Sequence, residues 1–210
     1  MTIINMDIDK LQPNESTKRK SGYEPDADRL RVSYEALETN PEHAILELKV
    51  LASIGSAMAP LYLGWIYQSG EVVTKDDAEA ERWLKLSLER GQKLASYYLG
   101  HFYLRQARKS DAVETFKQGS KLGSMSSKYC LAMAIQDGMA GTPDPDRVKQ
   151  LLTEASEDGH VFAMRSLASI YLSGSFGMFG RLRGMALLIR AVITGAFYAA
   201  KAPDDERLRA

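Results

Sequence analysis

The chain has 210 residues, 45% of them hydrophobic, which suits one ordinary domain or a short repeat array with a sizeable core. Lys plus Arg and Asp plus Glu both number 27, so the formal net charge is zero. That balance argues against nucleic acid, whose binding rests on excess positive charge, and gives no reason to expect a membrane partner. The single cysteine, Cys130, excludes an intrachain disulfide and fits a reducing compartment.

Residues 1–26 are polar, with Pro13, Pro25 and a basic triplet at Lys18, Arg19 and Lys20. No apolar period appears there, so a disordered tail is expected. The start also lacks a basic segment followed by an apolar run, so no secretory signal is read and a cytoplasmic protein is expected. From Asp26 the texture becomes helical. DADRLRVSYEALETN has apolar residues at helical spacing, and Pro41 suits the first turn of the helix that follows. PEHAILELKVLASIG then ends at Gly55, a natural helix stop. Residues 27–55 are expected to form a capping helix pair.

Beyond that point the sequence repeats. Gly55, Gly91, Gly123, Gly159 and Gly195 follow one another at intervals of 36, 32, 36 and 36. Four residues after each glycine stand Ala59, Ala95, Ser127, Ala163 and Ala199; eight after the first four stand Leu63, Leu99, Leu131 and Leu167. A small residue comes next (Gly64, Gly100, Ala132, Ala168), then Tyr67, Tyr103, Ile135 and Tyr171, then Gly70, Gln106, Gly138 and Gly174. The second half of each unit repeats too, through Ala80, Ala112, Val148 and Gly184, then Leu84, Phe116, Leu152 and Leu188, then Ser87, Gly119, Ala155 and Ala191. Each unit therefore predicts two helices, A and B, which hide their apolar faces only by stacking on neighbours. The repeats span about 56–91, 92–123, 124–159 and 160–195, inside an all-α region of 27–202, with 203–210 as a tail.

These residues resemble the Sel1-like repeat, a relative of the tetratricopeptide repeat. Ala59, the Leu63–Gly64 pair, Tyr67, Gly70, Asp76, Ala80, Trp83 and Gly91 stand where that family's pattern places them. The second unit has lost four loop residues and is nearer a tetratricopeptide repeat in length, and the fourth has Gly180 in place of the loop Asp. The resemblance covers residues about 56–202. It implies a right-handed α-solenoid superhelix of antiparallel helix pairs that serves as an adaptor, without a cofactor. A disulfide-rich branch of the family is connected with β-lactam binding; a lone Cys130 disfavours that reading.

Little in the chain points to catalysis. His43, His101 and His160 belong to no HExxH or comparable metal set, and no CxxC, GxSxG or phosphate loop occurs. GSFGMFG at 174–180 lacks the Lys-Ser/Thr ending of a phosphate loop and falls at an A–B loop. Asp76, Asp77 and Asp144 stand where helix B begins and are expected to cap it. An enzyme reading would rest on His101 as base, with no convincing nucleophile beside it. MALLIRAVITGAFYAA is 16 residues long and carries Arg190, too short and too charged for a membrane span.

The candidate binding surface is the face of helix A opposite the Ala–Leu–Tyr stripe. It gathers Leu61, Trp65, Tyr97, His101, Arg105, Tyr129, Met133, Phe162 and Arg165. Aromatic, Met and Arg side chains in that proportion suit a protein or peptide partner; the alternative is that superhelical curvature or the N-terminal tail buries them. At the other end, AFYAAKAPDDERLRA is expected to begin another helix A that Pro203 halts. Ala196, Phe197, Tyr198 and Ala199 would then form an uncovered end through which a homodimer assembles.

Overall fold

The computed structural model describes residues 24–173, 177–202 and 206–209. The tail expected at 1–26 lies outside the described residues up to residue 23, as do 174–176 of the GSFGMFG segment and Pro203. Ten helices follow in chain order among the described residues: α1 Ala27–Glu35, α2 Pro41–Ser53, α3 Met58–Ser69, α4 Asp77–Glu89, α5 Lys93–Arg105, α6 Lys109–Lys121, α7 Met125–Gln136, α8 Pro145–Glu157, α9 Val161–Leu172 and α10 Gly177–Lys201. A 3-10 turn, Glu206–Leu208, closes the series, and the described residues contain no strand.

Side-chain caps and left-handed glycines set the boundaries. Asp26, Asn40, Asp76 and Asp144 accept backbone N–H groups in the first turns of α1, α2, α4 and α8, at 3.0 to 3.4 Å. Asp76 and Asp144 are thus capping acids, as expected, and Asp77 is the first residue of α4. Gly55, Gly91, Gly123 and Gly159 all take positive φ where helix B or the capping pair ends. The short second loop has no glycine at the matching place, and Ala107 takes the left-handed conformation instead, at φ 58°.

The described residues form two compact units, one ending at Arg108 and the other beginning at Lys109. In the first, α1 to α5 each pack on the next helix, and in the second α6 to α10 do the same. The repeat columns are the interior of both. Leu63, Leu99, Leu131 and Leu167 are all between 0% and 4% exposed, and Ala59, Ala95, Ser127 and Ala163 are wholly buried beside them. Leu84, Phe116 and Leu152 fill the matching sites on helix B. Gly64 lets α3 approach α4 closely, since a Cβ built on it would stand 2.6 Å from Leu84 Cγ. In the first unit Ser87 Oγ also donates to the Ala57 carbonyl at 2.7 Å, and Arg90 Nη1 donates to the carbonyls of Ala52 and Ser56.

The expected plan fails at the C-terminal end. Gly195 does not stop a helix: α10 runs through it for 25 residues, so 196–201 is the last part of a helix B and not the start of a new helix A. Pro203 can halt a helix only where the chain reaches it, and no local residue breaks α10 earlier. Ala199 and Leu188 accordingly leave the repeat pattern and are exposed. Within the stretch 203–210 expected as a tail, the Glu206–Leu208 turn packs on α7, α9 and α10. Glu24 is likewise buried and docked, although it falls within the expected disordered tail.

Candidate functional site

The helix-A face divides by burial. In the first unit Leu61 is 1% exposed and belongs to the core, as does Met58 one turn before it. Leu61 is therefore withdrawn from the candidate surface: α3 is covered on more of its circumference than the repeat stripe alone predicts. Trp65, Tyr97 and His101 are half-buried and Arg105 is exposed. The Tyr97 ring lies 4.4 Å from His101 and 5.5 Å, edge-on, from Tyr98. Burial, aided by the Arg105 charge, pushes the His101 pKa below its ordinary value.

In the second unit Tyr129, Met133 and Phe162 are half-buried and Arg165 is exposed. Tyr129 stands 6.2 Å from Phe162 and 5.0 Å from His160, and the Arg165 guanidinium sits over the Phe162 ring at 5.8 Å. The structure thus brings Tyr97, His101 and Arg105 together on α5, and Tyr129, Phe162 and Arg165 together on α7 and α9, while Trp65 stands half-buried on α3. Each group presents flat, partly exposed rings with a guanidinium at its edge.

The structure also reveals a set of capping residues that the sequence reading missed. The residue directly after each unit-ending glycine caps the following helix A. Ser56 Oγ accepts from Ala59 N, Gln92 Oε1 from Leu94 N, Ser124 Oγ from Ser127 N and His160 Nδ1 from Ala163 N. Two of these caps are clasped by carboxylates from distant segments. Ser56 Oγ and Met58 N donate to Glu24, while Ser124 Oγ and Ser126 N donate to Glu206. The serines and the two amides occupy equivalent repeat positions, and both carboxylates sit where a helix N-terminus favours negative charge. Burial raises the Glu24 pKa, against the Ser56 and Met58 hydrogen bonds that lower it. A serine after the glycine in just the first and third units was the one sequence signal for these clasps.

Between α4 and α5 a further polar set lies at the repeat junction. Glu81 accepts from Arg108 Nη1 at 2.7 Å and Tyr103 Oη at 3.0 Å, and pairs with Lys85 at 2.7 Å. Partial burial works against ionisation, but these donors hold the carboxyl down at about 2. A depressed carboxylate contributes stability above its unfolded pKa and loses it as pH falls toward the folded one. We expect Glu81→Gln to cost about 1–2 kcal/mol at pH 7 in urea unfolding, and nothing at pH 2.

Burial pushes the Cys130 thiol up to about 12, the opposite of an activated nucleophile. Among the described residues no three His, Cys, Asp or Glu side chains lie close enough to hold a metal ion.

No protein-family model matches the chain. Among solved structures it is similar to a Sel1 repeat protein from Oxalobacter formigenes, with 22% identity over 79% of this chain and 71% of that one, at a TM-score of 0.71. It is also similar to c5321, described as a protective antigen present in uropathogenic Escherichia coli strains displaying an SLR fold. There the identity is 23% over 90% of this chain and 48% of that one, at a TM-score of 0.62. The chain thus spans about half the length of that antigen. Both likenesses are of fold: the chain shares the all-α architecture of stacked helix pairs seen in these Sel1 repeat structures.

Proposed function

We propose that this Sel1-like solenoid is a non-enzymatic scaffold whose helix-A faces hold a segment of a partner protein. The observation that carries the reading is the pair of aromatic groups that repeat packing leaves half-exposed. These are Trp65, Tyr97 and His101 with Arg105 in one unit, and Tyr129, Met133 and Phe162 with Arg165 in the other. The repeats build their interior from the Ala and Leu columns on the opposite stripe, so these rings are not needed to close the core. Large flat side chains at partial exposure lose little entropy on binding and bury much apolar area, which is why such residues dominate interfaces. Arg105 and Arg165 supply the charge that would orient an acidic stretch of the partner. A single buried cysteine supports a reducing, cytoplasmic setting.

The test is cross-linked capture of the partner from native cells with the full chain, followed by affinity measurement on the purified pair. We expect W65A/Y97A or Y129A/F162A to weaken binding at least tenfold while the helical circular dichroism stays unchanged. Affinity unaltered in both double variants would remove the helix-A faces from the interaction.

A further inference from the structure

Helix α10 has its amphipathicity turned outward. The side chains it sets against the rest of its unit are small: Gly180, Gly184 and Ala191 are buried, and Gly195 is half-buried beside Val161. A Cβ on Gly184 would stand 2.8 Å from Leu172 Cγ and 3.1 Å from the Ala168 carbonyl oxygen, so α10 lies close along α9. The bulky residues point the other way. Met178, Leu182, Met185, Ile189, Val192 and Ile193 are between 55% and 71% exposed. Met178, Leu182, Met185, Ile189, Val192 and Ala196 recur at spacings of four and three, which makes one continuous stripe about 27 Å long. An apolar strip of that length on a water-soluble surface marks a contact.

The charges around the stripe identify its occupant. α10 carries Arg181, Arg183, Arg190 and Lys201 and no acidic residue, and α9 beneath it adds Arg165 and again no acid. At 100° per residue Arg181 lies on one edge of the stripe, and Arg183, Arg190 and Lys201 lie beyond the other. A second copy of the chain would bring these cations together across the contact with no carboxylate on the helix to meet them. An anionic lipid surface offers the missing complement, with acyl chains for the stripe and phosphates for its cationic edges. α10 is also the described helix that is long and apolar enough to cross a membrane. Its packing on α9 along its inner face instead gives the geometry of a helix lying in the interface plane. A formal net charge of zero for the chain conceals this local excess.

We propose that the outer face of α10 docks the protein on an anionic membrane surface, with its apolar stripe in the headgroup–acyl boundary and Arg181 and Arg190 on lipid phosphates, while Arg183 stays over the Tyr171 ring of α9. The experiment is vesicle flotation of the full chain with phosphatidylglycerol/phosphatidylcholine vesicles and with pure phosphatidylcholine, with light scattering of the lipid-free protein alongside. The wild type should float with the anionic vesicles and at least tenfold less with the neutral ones. L182E/I189E alters two solvent-facing positions, so it should keep its thermal melt and lose at least tenfold in vesicle partition. R181Q/R190Q should lose the preference for anionic lipid. Failure of the wild type to float, or equal flotation of L182E/I189E, overturns the proposal. So does a lipid-free dimer that L182E/I189E dissociates, since that assigns the face to a second copy.

Discussion

Replacing Gly64 with Val is expected to destabilise the first unit by about 3 kcal/mol, enough to lower its melting midpoint by roughly 12–24 °C. On helix propensity alone the change looks favourable, because glycine inside a helix costs about 1 kcal/mol relative to alanine. Packing reverses the sign. A Cβ at this position would lie 2.6 Å from Leu84 Cγ, 2.8 Å from Leu84 Cδ2 and 3.2 Å from the Leu84 backbone nitrogen. Leu84 is wholly buried and has no room to retreat, so α3 and α4 must separate. Gly195→Ala is the matched control. That glycine is also helical, but its added methyl would meet Val161 at 3.6 Å, an ordinary contact. It should raise stability by about 0.5–1 kcal/mol through propensity. Thermal melts of the two variants with shifts of the same sign would refute the close-approach argument.

Acid is expected to weaken the second unit through His160. This side chain is wholly buried and caps α9 through Nδ1, a role that requires an unprotonated nitrogen. Burial pushes its pKa down to about 4, against the opposing influence of the Arg209 backbone and the Glu206 charge. For a base with a depressed folded pKa, the unfolded chain takes up the proton first. Stability is therefore intact above pH 6.5 and falls as pH drops from there to 4, by about 3 kcal/mol over the window. His160→Asn keeps an oxygen acceptor for the cap and does not titrate there. Urea unfolding at pH 7 and pH 4.5 should show the wild type losing most of that amount relative to the variant. The comparison isolates His160, because all other acids and His101 are common to both proteins. Parallel losses in the two proteins would show that the imidazole is not the responsive group.

The helix-A rings were legible in sequence because they occupy a fixed offset from a repeating glycine. Their exposure was not: Leu61 and Trp65 share one predicted face, yet one is core and the other is half-buried. Offset fixes direction around a helix axis, whereas burial depends on how many neighbours close around that axis. The clasps by Glu24 and Glu206 escaped for a related reason. Each joins residues far apart in the chain, and the segments bearing them are polar and carry prolines, so local pattern marked them as tails.

The run of α10 through Gly195 is the clearest case in which local signals pointed one way and the fold another. Four glycines in the same series end helices or pairs with positive φ, and the fifth lies inside a helix. Glycine permits a left-handed stop without requiring one, and the packing of α10 against α9 favours continuation. By itself the sequence determined the helix pairs, their register and the interior Leu column, because a stripe repeated at one spacing can be buried in only one way. Tertiary structure alone decided which aromatic residues stay open, which carboxylates close the helix N-termini and which way α10 turns its bulk, since each depends on surfaces that meet only after the pairs have stacked.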